Sequence, residues 1–351
     1  MNAKEKLEEI IEVGKVKTSH IMEDLTLEVS KRQDTLVKPN NLSFEISPAG
    51  IFPIIDSHGF SLNSHSRNQM FKSLGMPMGY ANKLIELEEL KLLNDNLMTL
   101  SNTLEDGVLV RTVGDKIKGW LPPNFRMSHD TLPILQAFVD TSIEAGMVPY
   151  GGVSTDLRNR ITFIHPEVFS PSENEAIVFG VTFQGGDYGD VNRDIFLSAL
   201  RIMCTNLAVG ISMYENMKLG NRLEMGENEL FEFSDKTISL DLETIRSAVT
   251  DIVGASKKQF EIMKSSIADA VNRTMSIYDV AEFLKAQKYP SRLIKTIMGV
   301  YQSDVGEDQL PSKPSLWRVS NAVSFYANTL EDEEKRMNLQ NAAMDLLLNV
   351  N

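Results

Sequence analysis

The sequence predicts an α+β protein, with a central mixed or antiparallel sheet, packed helices and a mainly helical C-terminal region. Three observations carry this. Short β-branched and apolar runs, bounded by Gly and Pro, recur between Leu42 and Phe183. Helically spaced runs flank them without strict βαβ repetition, which favours α+β over α/β. From Leu240 onward the apolar residues Leu242, Ile245, Val249, Ile252, Met263 and Ile267 keep helical spacing over a long stretch.

In order along the chain, Leu7, Ile10, Ile11 and Val13 give an amphipathic pattern in a charged stretch, predicting a short helix followed by an extended arm or early strand. Leu42, Phe44 and Ile46 alternate, and Pro48, Gly50 and Pro53 punctuate the next stretch, so a strand leads into a loop. Asn68 to Leu74 forms a helix ended by Gly75 and Pro77, and a second runs from Tyr80 to Leu90. The pair has the outline of a helix-turn-helix, but Glu86, Glu88 and Glu89 on the second helix would repel phosphates. Val108 to Val113 and Ile117 to Leu121 form a hairpin about Gly114-Asp115. A helix comes next from Ser128 to Gly146, then strands at Gly151–Val153, Ile161–Ile164 and Ile177–Phe183, and after Gly185-Gly186 a helix from Ile195 to Val209. Ser276 to Asp279 has the form of a capping box, Tyr289-Pro290 divides two helices, and the final helices run from Leu316 to Leu348. Three regions are expected: an N-terminal helix and arm over 1–50, an α+β core over 51–238 and a helical region over 239–351.

Hydrophobic residues make up 42% of the chain and charged residues 24%, ordinary for a folded protein. The formal net charge of -13 argues against coating duplex DNA by bulk charge, which requires Lys and Arg. The single cysteine, Cys204, excludes an intramolecular disulfide, and no run approaches the ~20 apolar residues of a membrane helix. No secretory h-region follows Met1, so a cytoplasmic protein with no membrane partner is expected.

The five histidines are scattered and no Cys-x-x-Cys exists, so no structural zinc site is expected. A Walker-type phosphate loop is absent, and Gly185-Gly186-Asp187-Tyr188-Gly189-Asp190 carries aspartates that oppose a phosphate. Cys204 lies in the apolar run Leu200 to Cys204 and reads as a buried structural residue, with Thr205 and Asn206 closing its helix. No cofactor and no catalytic residue are expected. The densest polar cluster is Arg111 to His129: Arg111, Lys116, Lys118 and Arg126 face one acid, Asp115, with Trp120 and Phe125 interleaved. Cations that track phosphates, with aromatics for base stacking, suit single-stranded nucleic acid. On the hairpin, Lys116, Lys118 and Trp120 would share the outer face, opposite Ile117 and Leu121. Arg158, Arg160, Arg193 and Arg201 would extend the surface. The competing reading is a solvated hairpin face with Trp120 half buried.

Two segments carry a resemblance. One runs from Val108-Leu109-Val110-Arg111-Thr112 through Lys118-Gly119-Trp120 to Phe125-Arg126-Met127. The other runs from Phe179-Gly180-Val181 to Leu200-Arg201-Ile202-Met203-Cys204-Thr205-Asn206. Together they resemble the phage/plasmid-like domain family of unknown function, over roughly Phe52 to Leu348. That family shows an Arg-Thr hairpin, a Ser-x-x-Tyr-Arg-like motif and a Cys-Thr-Asn motif. Here the middle motif is Pro122-Pro123-Asn124-Phe125-Arg126, without its serine and tyrosine, and Leu207 replaces a glycine. Arg111, Arg126, Cys204, Thr205 and Asn206 are the matching positions. The resemblance implies a mobile-element setting and no reaction. The expected function is a nucleic-acid-binding protein of phage or plasmid DNA metabolism, in single-strand binding or annealing. The alternatives are a metal-dependent enzyme on nucleotides or nucleic acid, and an oligomeric or host-interaction protein assembled through its C-terminal helices.

Overall fold

A computed structural model describes residues 3–123, 125, 130–172, 175–189, 191–202, 206–212, 234–305 and 309–348, with the backbone alone of 206–212. It is an α+β fold with three sheets and a helical C-terminal region, as the sequence predicts. The chain opens with α1 (Ala3–Lys31) and β1 (Arg32–Val37), then β2 (Leu42–Ser47), β3 (Gly50–Ile55), β4 (His58–Gly59) and β5 (Ser61–Leu62). Three helices come after them: α2 (Ser64–Ser73), α3 (Met78–Glu86) and α4 (Leu90–Ser101). The hairpin β6 (Val108–Val113) and β7 (Lys116–Leu121) leads to α5 (Thr131–Glu144). The strands β8 (Val148–Ser154), β9 (Asn159–Ile164), β10 (Ile177–Gly185), β11 (Asp194–Arg201) and β12 (Asn206–Ser212) come next. The remaining helices are α6 (Asp235–Asn272), α7 (Ile277–Ala286), α8 (Ser291–Gln302), α9 (Leu316–Asn328) and α10 (Glu333–Leu348). Ser276 and Asp279 form the reciprocal capping box at the start of α7. No helix among the described residues is long and apolar enough to cross a membrane.

The large sheet is an antiparallel meander ordered β12-β11-β10-β9-β8. Its pleat separates two faces. On one face Ile161, Phe163, Phe179, Val181, Phe183, Ile195, Leu197 and Ala199 pack with Phe138 of α5 and Val249, Ile252 and Phe260 of α6. The opposite face is apolar only at one end, where Ile164, Val178 and Leu200 meet Leu7 of α1. At its other end it carries Arg160, Thr162, Thr182 and Gln184, with Thr162 directly opposite Thr182 and Arg160 opposite Gln184. A second core, from Val37 to Trp120, lies between the smaller sheets and α2–α4. The four-stranded sheet there is ordered β1-β6-β7-β5 and the three-stranded one β2-β3-β4.

Several elements differ from expectation: the helix expected from Tyr80 to Leu90 ends at Glu86, and α4 begins at Leu90 where no further helix was expected. The N-terminal helix is long, because Leu7, Gly14, Thr18, Ile21 and Leu25 form one buried stripe at helical spacing through a polar composition. The segment 42–55 is a full hairpin rather than a strand and loop, with Phe44 paired opposite Pro53. The helix expected over Ile195 to Val209 is instead β11 and β12. The residues 195–200 of β11 are apolar or small on both faces, because both faces of the sheet are covered, and such a run loses its period-2 signature.

α1 packs along β8, the edge strand of the large sheet, so that edge is covered rather than open. Gly14 makes the approach possible: a Cβ there would lie 2.3 Å from the Pro149 carbonyl oxygen and 2.5 Å from the Tyr150 carbonyl carbon. In an open helix, Gly→Ala gains about 1 kcal/mol. Here the clash reverses the sign, and Gly14→Ala is expected to destabilise by about 1–3 kcal/mol, read as a lower urea midpoint.

Candidate functional site

The hairpin cluster is not an outer face. Arg111 is buried and its guanidinium grips Asp34, its cross-strand neighbour on β1, with Nε and Nη2 donating at 2.7 and 2.6 Å. Its Nη1 donates to the Asp187 carbonyl oxygen at 2.7 Å. Lys118 is tied to Glu28 of α1, and the half-buried Lys116 reaches Asp156 at 3.2 Å. Trp120 is 2% exposed and donates through Nε1 to Ser73 Oγ of α2 at 3.0 Å. Phe125 is buried, with the Arg111 guanidinium 5.9 Å from its ring centre. The outward projection expected for Lys118 and Trp120 is therefore corrected. The hairpin's outer side is covered by α1, α2 and the loop at residues 185–189, and its cations are neutralised by acids within the chain. Arg126, Cys204 and Thr205 lie outside the described residues, and Asn206 opens β12 rather than closing a helix.

What the hairpin builds is a buried ionic clasp centred on Asp187. Arg32 donates to Asp187 at 2.8 Å and to Asp130 at 2.7 Å, Arg193 approaches Asp187 at 3.3 Å, and the Thr131 amide donates to it at 2.9 Å. Burial would raise the Asp187 carboxyl, but the charges of Arg32 and Arg193 outweigh that and hold it below the usual carboxylate range. Beside it, burial and then the Glu28 charge push the Tyr188 hydroxyl up, so it stays protonated and donates to Glu28. The Tyr188 carbonyl accepts from Gln69 of α2 at 2.7 Å. The clasp thus joins α1, the hairpin, α2, the start of α5 and the glycine-bearing loop. That glycine-bearing loop, whose aspartates argue in the sequence against a phosphate site, is where Asp187 enters the clasp.

Arg158, Arg160 and Arg201, expected to extend the hairpin surface, belong to different places. Arg201, at the end of β11, is buried against Glu175, with Nε donating at 2.7 Å. Arg158 lies just before β9 and Arg160 within it, and residues two apart share a face, so both reach α10 but at different residues. Arg158 forms an ion pair with Glu334 of α10. Arg160 is 3% exposed and has no carboxylate partner among the described residues. Its Nη2 donates to Gln184 at 3.0 Å and Asn341 at 2.8 Å, its Nη1 to Gln340 at 3.3 Å, and its Nε has no hydrogen-bond partner. Burial, with the Arg158 charge adding to it, pulls the guanidinium down to about 10, and Glu334 opposes this only in part.

Arg160 and Thr162 belong to the floor of a groove of about 500 Å³, together with Gly151, Gly152 and Val153 of β8. One wall is α1, through Lys6, Glu9, Ile10, Val13 and Lys17. The other is the end of α9 and the start of α10, through Asn328, Glu333, Arg336, Met337 and Gln340. Arg336 pairs with Glu333 at 2.8 Å, and among the other lining charges Lys6, Lys17 and Arg160 stand against Glu9. In a chain of net charge -13 this is a locally cationic cavity. The floor takes its polarity from β9, where Arg160 and Thr162 alternate with Ile161 and Phe163, so the period-2 pattern of Arg160-Ile161-Thr162-Phe163 was the available signal. The walls come from segments far apart in sequence and left no such signal. No group of three or more His, Cys, Asp or Glu suited to a metal ion occurs among the described residues.

The fold and cavity define an α+β protein with a locally cationic groove on one sheet face. Comparison with protein-family models, curated proteins and solved structures returned no match.

Proposed function

We propose that this chain is a nucleic-acid-binding protein of phage or plasmid DNA metabolism that holds single-stranded nucleic acid by its phosphate at the Arg160 groove, not at the hairpin. The observation that carries this is Arg160. A buried guanidinium without an acid is costly, and an anion supplied from outside relieves that cost. Guanidinium suits phosphate because its fork of donors matches the phosphate oxygens. The groove volume falls in the range of ligand pockets. The mobile-element setting comes from the motif resemblance.

The test is fluorescence anisotropy with a labelled single-stranded oligonucleotide at low salt. Wild type is expected to bind and to weaken as salt rises. Arg160→Gln is expected to weaken binding at least tenfold, in the order of one charge-assisted contact, while the melting temperature holds or rises because a buried charge has gone. An absence of wild-type binding to DNA and RNA, or equal binding by the variant, would falsify this reading. Lys116→Glu, beside the exposed turn, should leave binding unchanged.

A further inference from the structure

We infer that the groove receives the end of a strand, a terminal phosphate monoester, in preference to an internal phosphodiester. The inference rests on the nucleic-acid reading of the groove. Three features lead to it. The first is depth. Arg160 is 3% exposed at the floor of a cavity of about 500 Å³, so the phosphate must enter the cavity rather than pass across its mouth. A continuous strand would have to fold a loop of backbone into that space, whereas an end inserts without bending. Proteins that track the interior of a strand instead use open grooves several nucleotides long.

The second feature is charge. A phosphodiester brings one negative charge, and a monoester about 1.5 to 2 at neutral pH. The floor guanidinium has no acid partner among the described residues, and Lys17 stands exposed on the α1 wall. Two cations at one cavity match the monoester better. The third is the surrounding amides. Gln184, Gln340 and Asn341 turn their oxygens to Arg160. Of these Gln340 lines the groove, its nitrogen is a donor, and a monoester offers three terminal oxygens where a diester offers two. The Gln340 contacts are long, 3.3 Å to Arg160 and 3.2 Å to Asn328, so an arriving phosphate competes with them at little cost.

One internally labelled oligonucleotide, in three forms, tests this: 5′-phosphorylated, 3′-phosphorylated and with both ends as hydroxyls. At least one phosphorylated form is expected to bind wild type tenfold or more tighter than the hydroxyl form, and the two arms identify which end is read. Arg160→Gln should bring the forms to equal affinity. Lys17→Glu, an exposed change that should not disturb folding, should narrow the same gap. Three equal wild-type affinities, all weakened alike by Arg160→Gln, would overturn the end-reading and leave the nucleic-acid reading standing. A preference for the phosphorylated form that survives both variants would place the phosphate elsewhere and overturn the assignment. If wild type binds none of the three, both readings fall together.

Discussion

Asp187→Asn is expected to lower the unfolding free energy by about 3–5 kcal/mol, the usual cost of removing one partner from a buried ionic group. The variant keeps the shape of the side chain but leaves Arg32 and Arg193 buried beside a neutral amide. Guanidinium denaturation at neutral pH measures the difference. The pH dependence supplies a second reading. The folded Asp187 carboxyl sits below its ordinary value of about 3.9, so its contribution is complete above that value. It is lost as pH falls through the lowered folded value. Wild type should therefore lose stability on the acid side more steeply than Asp187→Asn, and the two curves should converge at low pH. An Asn variant within about 0.5 kcal/mol of wild type would mean that the clasp does not hold the elements it joins.

The second large effect falls on Trp120. Trp120→Ala should cost about 3–5 kcal/mol, as expected for a buried aromatic in a close-packed core. Its ring belongs to the core containing Met70, Phe71 and Val110, and its indole N–H is satisfied by Ser73. Trp120→Phe removes the hydrogen bond, leaving Ser73 Oγ without its donor, and also part of the ring volume, so the loss exceeds the bond's own contribution of about 1 kcal/mol. A base-stacking tryptophan would behave oppositely, losing affinity at constant melting temperature. Calorimetry and oligonucleotide anisotropy on Trp120→Phe separate the cases: a lower melting temperature with unchanged affinity is expected.

The fold class, the hairpin at Gly114-Asp115, the α7 capping box and the C-terminal helices were legible because each depends on local chemistry. The strands β11 and β12 were not, because burial on both faces erases alternation. The length of α1 was hidden by its charged exposed face. The hairpin cations misled for a different reason. Sequence shows a local surplus of Arg and Lys, but the acids that neutralise it, Asp34, Glu28 and Asp156, lie remote along the chain and meet it only through sheet pairing and packing. Arg160 was visible as a cation in a strand. Its lack of an acid partner is a tertiary fact, set by which side of β9 it occupies.

The two walls of the groove come from residues 6–17 and 328–340, on either side of a floor from the middle of the chain. Such contacts carry the largest loop-closure entropy and form late in folding. The large sheet can therefore assemble its apolar face on α5 and α6 before the pocket exists, and on the proposed reading phosphate binding is expected to be gained last. A ligand that touches both walls acts as a tether between distant segments. At a hundred times its dissociation constant it adds about 2.7 kcal/mol to the native state. Bound chains should accordingly resist proteolysis at α1 and α10 more than free ones.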